Sequence, residues 1–454
     1  MSLFGTDGVR GKANAAINAD LALKIGLAAG SHFFERGARI AVIGRDTRRS
    51  GSMLGAALAS GLASAGIDVV ALGVAPTPAV SFAARTGGFD FAAVISASHN
   101  PAEDNGIKLL GPDGGKLPVS QEKLIESLLD QPARSPADQI GRIASDDSHI
   151  ESYIQWLVSR IPSSLDGFRI ALDCANGAAA CIAPQMFEML GAQITTIGTQ
   201  PNGDNINNHC GATNPSAIQQ LTVESKSELG IAFDGDADRC IFSDEKGRLI
   251  NGDKFMAAWA ASELKSGRLD PPVVVGTSMS NLGFERALQA IGIQLVRADV
   301  GDRNVAFAMR DHQAKIGGEQ SGHIIFGGVS PTGDGLLTAL EMVRILNETN
   351  CRASELQPQL ENWPQLLVNL NMPDKTCIQT DEFKTKQTAV AQELRDRGRV
   401  MVRESGTQPI VRVMVEANDA DLRDACAEQL IAYLSMRHGA RIHSKVDLTH
   451  ALGD

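Results

Sequence analysis

The sequence has no pair of closely spaced cysteines. Its seven cysteines show no C-x-x-C spacing and are Cys174, Cys181, Cys210, Cys240, Cys351, Cys377 and Cys426. Zinc sites use such pairs, and disulfide frameworks are typical of short secreted chains with regular cysteine spacing. We therefore expect reduced, mostly buried thiols, with neither a zinc site nor a disulfide framework.

Blocks of like charge are also absent. Lys and Arg total 42, Asp and Glu total 53, and the net charge is −11 with acids and bases scattered along the chain. Proteins that bind nucleic acid carry basic patches and an excess of positive charge. We therefore expect no nucleic acid partner.

Targeting and membrane segments are not apparent. Residues 1–8 contain no basic region followed by an apolar core, so we expect no signal peptide. The most apolar stretch, residues 55–75, contains Asp68 and many small residues, which favours a helix, Gly66 and a strand over a membrane span. These features predict a soluble, cytoplasmic protein without a membrane partner.

The length and a repeated order of elements predict several domains. With 454 residues the chain exceeds one hydrophobic core, and ordinary domain sizes give about three or four domains. An apolar strand, a polar loop, a helix, a glycine and a second strand follow one another at residues 39–72, 168–197 and 273–297. This order predicts βαβ units on mixed or parallel sheets, with ligands at the carboxyl ends of strands.

The pattern changes after Pro364 to strand, helix, strand, strand, helix. We therefore expect three related α/β domains with mixed sheets, followed by a smaller α+β C-terminal domain. The expected boundaries are residues 1–162, 163–252, 253–363 and 364–454, placed at loops and at changes of pattern.

The loop after the apolar strand at residues 91–95 contains the first candidate chemistry. It reads Ser-Ala-Ser-His-Asn-Pro at residues 96–101, and Asn-Pro and Asn-Gly dipeptides mark turns. Ser98 lies at a strand end with His99 beside it and Lys108 ten residues later, so a nucleophile would have a base and a cation in reach. The alternative is a plain turn in which Ser and Asn side chains bond their own backbone.

A second loop, Asp-Gly-Asp-Ala-Asp-Arg at residues 234–239, alternates three carboxylates with small residues. Three oxygen ligands suit Mg²⁺, which keeps open positions for a phosphate. The spacing also resembles an EF-hand loop, but Arg239 stands where a calcium loop needs Gly and the flanks read as strands. A solvated acidic turn is the third interpretation.

Two more loops combine small residues with polar ones. Residues 403–409, Arg-Glu-Ser-Gly-Thr-Gln-Pro, offer hydroxyls, backbone N–H groups and an arginine, as a phosphate cradle requires; a plain hairpin loop is the alternative. Residues 317–323, Gly-Gly-Glu-Gln-Ser-Gly-His, suit the hydroxyls of a sugar, with His323 either a proton shuttle or a structural histidine. Arg10 and Arg45 either face a phosphate or cap the surface.

Taken together, these loops resemble the α-D-phosphohexomutase superfamily from Phe4 to about Glu416, with one signature loop in each expected domain and in family order. The Phe-Gly-Thr-Asp-Gly-Val-Arg-Gly motif at residues 4–11 and the residues 95–101, 104–108 and 317–325 resemble the bacterial branch that acts on glucosamine phosphates. The resemblance implies interconversion of glucosamine 6-phosphate and glucosamine 1-phosphate on the route to UDP-N-acetylglucosamine and peptidoglycan. It also implies a homodimer.

The resemblance implies roles for single residues. Ser98 would carry a phosphate, and Mg²⁺ would be held by this phosphate and by Asp234, Asp236 and Asp238. The moving phosphoryl group would be stabilised by Arg10, Lys108 and Arg239. Lys108 and His323 would be the candidates for proton transfer, and glucosamine 1,6-bisphosphate would be the intermediate that primes the enzyme.

The substrate groups follow from the same resemblance. Glu319 and Ser321 would bind the sugar hydroxyls. The phosphate that is not transferred would be held by Arg403, Ser405, Gly406 and Thr407. Gln408 departs from the family pattern, which usually has Glu at this position. A cradle that holds either end of a bisphosphate would let the intermediate turn around between the two half-reactions.

Three other functions fit parts of the sequence. The same Mg²⁺ and phosphoserine would make a sugar phosphatase if water took the phosphoryl group. A chain that binds sugar phosphate without turnover would be a sensor. A mutase for glucose or mannose phosphates would differ only around residues 319–323.

Overall fold

The computed structural model describes residues 3–5, 7–161, 164–356, 361–372, 374–405 and 409–449. The chain forms two compact units. The first comprises Met1–Ser278 and Leu295–Gln357, and the second comprises Met279–Gln294 and Pro358–Asp454. Across the described ranges, no helix combines the length and the apolar character that crossing a membrane requires.

The first sheet of the first unit has six strands: β1 (Val9–Lys12), β2 (Ile40–Arg45), β3 (Asp68–Val74), β4 (Phe91–Ile95), β5 (Asp104–Leu110) and β6 (Ile143–Ser145). Their order is β1-β5-β4-β2-β3-β6. Strand β5 is antiparallel to β4 and β1, and the other pairs are parallel. The helices are α1 (Ala19–Phe34), α2 (Gly51–Ser64), α3 (Thr77–Thr86), α4 (Val119–Ser127) and α5 (Ser148–Val158).

The second sheet has the order β11-β10-β9-β7-β8. Its strands are β7 (Arg169–Asp173), β8 (Gln193–Ile197), β9 (Leu229–Phe233), β10 (Cys240–Asp244) and β11 (Leu249–Ile250). Strand β7 is parallel to β8 and β9, whereas β10 is antiparallel to β9. The helices are α6 (Ala179–Met189) and α7 (Pro215–Glu224).

The third sheet has the order β13-β12-β14-β15. Its strands are β12 (Val273–Thr277), β13 (Gln294–Ala298), β14 (Ile316–Gly318) and β15 (Ile324–Phe326). Its helices in the first unit are α8 (Gly252–Lys265), α10 (Asp302–Asp311) and α11 (Gly335–Thr349); α9 (Leu282–Ala290) belongs to the second unit. The β12–β14 pair is parallel and the β14–β15 pair is antiparallel.

The second unit is built on an antiparallel sheet of order β17-β18-β16-β19. Its strands are β16 (Gln365–Asn371), β17 (Gly398–Glu404), β18 (Ile410–Ala417) and β19 (Arg441–Asp447). Helices α12 (Asp381–Leu394) and α13 (Ala420–His438) accompany α9. Short 3₁₀ turns in the chain lie at Ala137–Gln139, Ala353–Glu355, Thr376–Gln379 and Arg395–Arg397.

The three repeated units and the α+β pattern predicted from the sequence are confirmed by these elements. Strand β19 was not predicted. It contains only two apolar residues, Ile442 and Val446, lies at an edge of its sheet and is largely exposed, so it lacks the apolar run that marked the predicted strands.

Candidate active site

Three equivalent loops contain most of the predicted site residues. Each connects a strand to its antiparallel neighbour: residues 96–103 join β4 to β5, residues 234–239 join β9 to β10, and residues 319–323 join β14 to β15. Because each sheet of the first unit contributes one such loop, the repeated fold supplies three sets of polar side chains.

Ser98 is buried and lies against the acidic loop. Its hydroxyl donates a hydrogen bond to Asp234 Oδ2 at 2.5 Å, and His99 Nδ1 is 3.3 Å from the same oxygen atom of Ser98. The backbone of Ser98 is left-handed, with φ of 52°, which is uncommon for a residue with a side chain. A plain turn would leave the hydroxyl on its own backbone, so the long-range bond to Asp234 favours the nucleophile interpretation.

The three carboxylates of the acidic loop converge. One ligand oxygen from each of Asp234, Asp236 and Asp238 lies within 4.8 Å of the others. All three side chains are buried, which excludes the solvated turn, and the flanks are strands, which excludes the EF-hand. Burial and the charges of Asp238 and Asp236 raise the pKa of Asp234 well above its ordinary value.

The cluster fits a divalent cation. Asp236 Oδ1 and Asp238 Oδ1 are buried without a hydrogen bond, and such orphaned carboxylate oxygens are costly unless a cation or water meets them. An all-oxygen set of three ligands suits Mg²⁺. The acidic loop can therefore hold a metal ion.

Lys108 supplies positive charge inside the cluster. Its Nζ lies 3.0 Å from Asp236 Oδ2, 3.4 Å from Asp238 Oδ2 and 3.2 Å from Asp7 Oδ2. Burial opposes the charge of Lys108, but the three carboxylates outweigh burial and raise the pKa of Lys108 above its ordinary value. For Asp238, burial raises the pKa, but Lys108 and His323 outweigh it and lower the pKa.

Arg10 and Arg239 are half-buried at the edge of this cluster. The guanidinium of Arg10 donates to Asp7 Oδ2. The backbone N–H of Arg239 donates to Asp234 Oδ1 at 3.1 Å, and Arg239 forms a β-bridge with His323. These contacts join the acidic loop to the loop of the third sheet.

The third loop contains Glu319, Ser321 and His323. Glu319 is half-buried and accepts a bond from Gly301 N at 3.0 Å, while the Ser321 hydroxyl lies 3.5 Å from Glu319 Oε2. Carboxylate and hydroxyl groups of this kind can bind the hydroxyls of a sugar.

The carboxylates near His323 favour its protonated imidazole, whereas a hydrogen bond from the backbone favours the neutral one. Burial lowers its pKa, but the charges of Asp238 and Asp302 outweigh burial and raise the pKa to about 9. The backbone N–H of Gly333 donates to Nε2 at 3.1 Å, which favours the neutral ring with its proton on Nδ1. Nδ1 lies 3.5 Å from Asp238 Oδ1, so the imidazole contacts the acidic cluster in either state.

The predicted phosphate cradle belongs to the second unit. Arg403 is half-buried on β17 and pairs in register with Arg412 on β18. Ser405 is buried, and its carbonyl accepts a bond from Lys375 Nζ at 2.6 Å. Gly406 and Thr407, and the divergent Gln408, lie outside the described residues.

Several residues of the site were not selected from the sequence. Asp7 links Lys108, Arg10 and Lys116, and Lys116 Nζ also lies 2.5 Å from Asp302 Oδ2. The Thr77 hydroxyl donates to Asp236 Oδ2 at 2.7 Å. Asp7 lies within the motif at residues 4–11 and so has a local signal in the sequence, whereas the other contacts join distant parts of the chain and have no such signal.

The comparisons identify the class of protein. The chain belongs to the phosphoglucomutase/phosphomannomutase family: its alpha/beta/alpha domain I matches residues 1–135, domain II residues 147–247, domain III residues 251–362, and its C-terminal domain residues 367–432. Membership implies a sugar phosphate as substrate.

Two relatives and one solved structure match this chain over nearly its whole length. A phosphoglucosamine mutase of Zymomonas mobilis is 47% identical over 92% of this chain and 95% of its own length. A phosphoglucosamine mutase of Thermobifida fusca is 45% identical over 94% and 97%. The crystal structure of a phosphoglucomutase/phosphomannomutase family protein from Burkholderia thailandensis has a TM-score of 0.81 at 25% identity and covers 97% of this chain and 99% of that one.

These findings confirm the resemblance, the fold class and the class of enzyme predicted from the sequence. The domain boundaries, the roles of single residues and the homodimer stay predictions.

Proposed function

We propose that this chain interconverts glucosamine 6-phosphate and glucosamine 1-phosphate by way of a phosphate carried on Ser98. The observation that carries the proposal is the 2.5 Å bond from the Ser98 hydroxyl to Asp234, inside a buried group of three carboxylates and Lys108. The near full-length relatives named phosphoglucosamine mutase support the choice of sugar.

Asp234, Asp236 and Asp238, with the phosphate on Ser98, would hold the Mg²⁺. When bound, this ion neutralises charge on the phosphoryl oxygens. Asp234 accepts the bond from Ser98 Oγ and also contributes an oxygen to the carboxylate cluster, so Ser98 Oγ lies next to the proposed metal site. The protein's own contribution is to fix this oxygen beside the carboxylates.

Phosphoryl transfer needs cations around a loose transition state more than it needs covalent help. Lys108 lies among the carboxylates, and Arg10 and Arg239 lie at the edge of the same cluster. We assign these three cations to the oxygens of the phosphoryl group in transit. They offset the roughly −1.5 to −2 charges that a phosphoserine adds at neutral pH.

The reaction would move one phosphoryl group in each half. The Ser98 O–P bond breaks, the free sugar hydroxyl forms the new O–P bond and gives its proton to a protein base, and the Ser98 oxygen takes up a proton to become the hydroxyl that donates to Asp234. Lys108 and His323 are the candidates for that base predicted from the sequence, and each must first release a proton, because the neighbouring carboxylates raise the pKa of both side chains. The resulting glucosamine 1,6-bisphosphate returns its other phosphoryl group to Ser98 by the reverse steps, which restores the phosphoserine.

Binding of the sugar is assigned to the remaining residues. Glu319 and Ser321 would bind the sugar hydroxyls, because their carboxylate and hydroxyl lie together in one loop. The phosphate at rest would be bound by Arg403, Ser405, Gly406 and Thr407.

Phosphorus NMR tests the proposal. Protein with Mg²⁺ and a trace of sugar bisphosphate is offered glucosamine 6-phosphate or glucose 6-phosphate, and Ser98→Ala is compared with Ser60→Ala, which alters an exposed serine on α2. We expect rapid growth of glucosamine 1-phosphate, slower growth of the glucose product, and no turnover by Ser98→Ala only.

Other outcomes would contradict separate parts of the proposal. A preference for glucose 6-phosphate would overturn the substrate. Release of inorganic phosphate faster than isomerisation would indicate a phosphatase. Undiminished turnover by Ser98→Ala would remove the phosphoserine from the mechanism.

A further inference from the structure

Beneath the Ser98 loop lies a buried ion pair that the proposed chemistry does not use. Arg48 and Asp46, both in the loop between β2 and α2, have side chains with no exposed surface, and Arg48 Nε donates to Asp46 Oδ2 at 2.8 Å. A buried ion pair contributes little net stability because desolvation offsets the attraction. Its burial therefore calls for another explanation.

Arg48 binds the turn that carries Ser98. Its guanidinium donates to the carbonyl oxygens of Ser98 at 2.9 Å, Asn100 at 2.8 Å and Asp104 at 2.9 Å, and also to that of Pro101. One planar cation thus holds four carbonyls between Ser98 and Asp104, the residue at which the loop enters β5. Only a guanidinium offers enough donors in a fixed geometry for this arrangement.

Asp46 holds the same loop from the other side. Its Oδ2 accepts a bond from the Ser96 hydroxyl at 2.6 Å, and the Ser96 oxygen accepts a bond from the backbone N–H of Ser98 at 2.8 Å. Both peptide groups of Ser98 are therefore fixed by one ion pair. Asn207 Nδ2 adds a second donor to the Ser98 carbonyl at 2.9 Å.

These bonds hold the backbone of Ser98 in an uncommon conformation. A left-handed backbone at a residue with a side chain is strained and persists only where the surroundings enforce it. If the bonds from Ser96 and Arg48 were removed, Ser98 would relax toward ordinary backbone angles and its hydroxyl would leave Asp234.

We propose that the Arg48–Asp46 pair, acting through Ser96, is the positioning device that fixes Ser98 for phosphoryl transfer. The inference rests on the proposed role of Ser98 as the residue that carries the phosphate. Arg48, Asp46 and Ser96 are positioning residues, since they act on Ser98 through its backbone. They affect the rate of transfer and leave sugar binding unchanged.

The test compares a small change with its conservative partner. Ser96→Ala removes one hydroxyl, whereas Ser96→Thr keeps it. We expect Ser96→Ala to lower kcat about tenfold with KM within twofold, as loss of one buried hydrogen bond predicts, and Ser96→Thr to recover most of the rate.

Arg48→Lys probes the ion pair itself. An ammonium cannot reach four carbonyls at once, so we expect kcat and the single-turnover rate of transfer from labelled sugar bisphosphate to Ser98 to fall about 100-fold. The matched control is Arg49→Lys, because Arg49 is the neighbouring arginine, is exposed and bonds Asp204 instead. This control should keep the wild-type rate.

The outcomes separate this inference from the proposed function. Wild-type kcat in folded Arg48→Lys and in Ser96→Ala would overturn the positioning role, while Ser98→Ala would still be inactive. Equal losses in Ser96→Ala and Ser96→Thr that follow a lowered melting temperature would also overturn it, because they would mark a structural role only. Turnover by Ser98→Ala would instead refute the proposed function. If Arg48→Lys does not fold, the Ser96 pair decides.

Discussion

At the scale of single residues, the candidate site balances negative charge that a folded core does not normally tolerate. Asp234, Asp236 and Asp238 are buried together, and two of their oxygens have no hydrogen bond. Lys108 offsets part of this charge. We therefore expect a divalent cation to stabilise the folded protein by offsetting the repulsion that remains among the three carboxylates.

A thermal shift with Mg²⁺ checks this balance. A ligand that binds only the folded state stabilises it by about 2.7 kcal/mol at one hundred times its Kd, so we expect Mg²⁺ to raise the melting temperature. Asp238→Asn should lose most of this shift, and Asp204→Asn, which alters an exposed aspartate, should keep it. The same shift in wild type and Asp238→Asn would contradict the assignment of the metal ligands.

Asp334, which lies outside the acidic cluster, should make the stability of the protein depend on pH. It is buried, accepts a bond from Tyr153 Oη at 2.8 Å, and caps α11 by accepting from Leu337 N at 2.9 Å. Burial raises the pKa of Asp334 from 3.8 to about 6. Because the folded pKa exceeds the unfolded one, the contribution to stability is fully present below about pH 4 and is lost as the pH rises through 6.

The comparison with Asp334→Asn isolates this contribution, since Asn keeps an acceptor oxygen for both bonds. The rise in the pKa of Asp334 corresponds to a contribution of about 3 kcal/mol to the free energy of unfolding. We expect the melting temperature of Asp334→Asn relative to wild type to increase between pH 4.5 and 7.5. A constant difference across that range would show that Asp334 does not titrate as the structure indicates.

At the scale of elements, close packing of α1 against α2 depends on glycine. A Cβ added at Gly61 would lie 2.3 Å from the Leu23 carbonyl oxygen, whereas one added at Gly55 of the same helix would meet only Ile95 Cδ1 at 3.9 Å. The packing therefore leaves no room for a side chain at Gly61, whereas it leaves room for a methyl group at Gly55.

Two alanine substitutions on α2 test this contrast. Gly61→Ala should destabilise the protein by about 1–3 kcal/mol through overpacking. Gly55→Ala should stabilise it by roughly 0.5–1 kcal/mol, because alanine favours helix and the space is open. Melting temperatures that move in the same direction would contradict the packing of these helices.

How much of the site was predictable depends on distance along the chain. Ser98, the three aspartates and Glu319 follow apolar strands in small-residue loops, so a local pattern marked each of them. Thr77 and Asp236 are 159 residues apart, and Lys116 and Asp7 are 109 apart, so only the fold reveals their contacts. The sequence does not single out Arg48, because a loop arginine has no pattern that distinguishes a buried anchor from a surface cap.

At the scale of the whole molecule, the division into two compact units places one helix, α9, apart from its neighbours in sequence. Although α9 lies between strands of the third sheet in sequence, residues 279–294 belong to the second unit. Leu282 N donates to Glu416 Oε1 at 2.6 Å, and Arg286 lies over the Trp363 ring at 4.4 Å. The sequence predicted the repeated unit there but had no signal for this change of partner.

Hydrogen exchange tests this membership. We expect the amides of α9 to exchange together with those of β16 and β18. Glu416→Ala should speed exchange in α9, because Glu416 is buried between Leu282 N and Arg399 Nε, and loss of a buried partner costs about 3 kcal/mol or more. Glu428→Ala, on α13, is the control. Unchanged exchange in α9 would contradict the assignment of this helix.

The most direct test of the central claim follows a labelled phosphoryl group. Protein is treated with glucosamine 1,6-bisphosphate that carries radioactive phosphate, digested and mapped, and a second portion is chased with unlabelled glucosamine 6-phosphate before digestion. The account predicts label on the peptide that contains Ser98, and its transfer to sugar during the chase at a rate no slower than turnover. Label on another residue, or turnover while the label stays on Ser98, would contradict it.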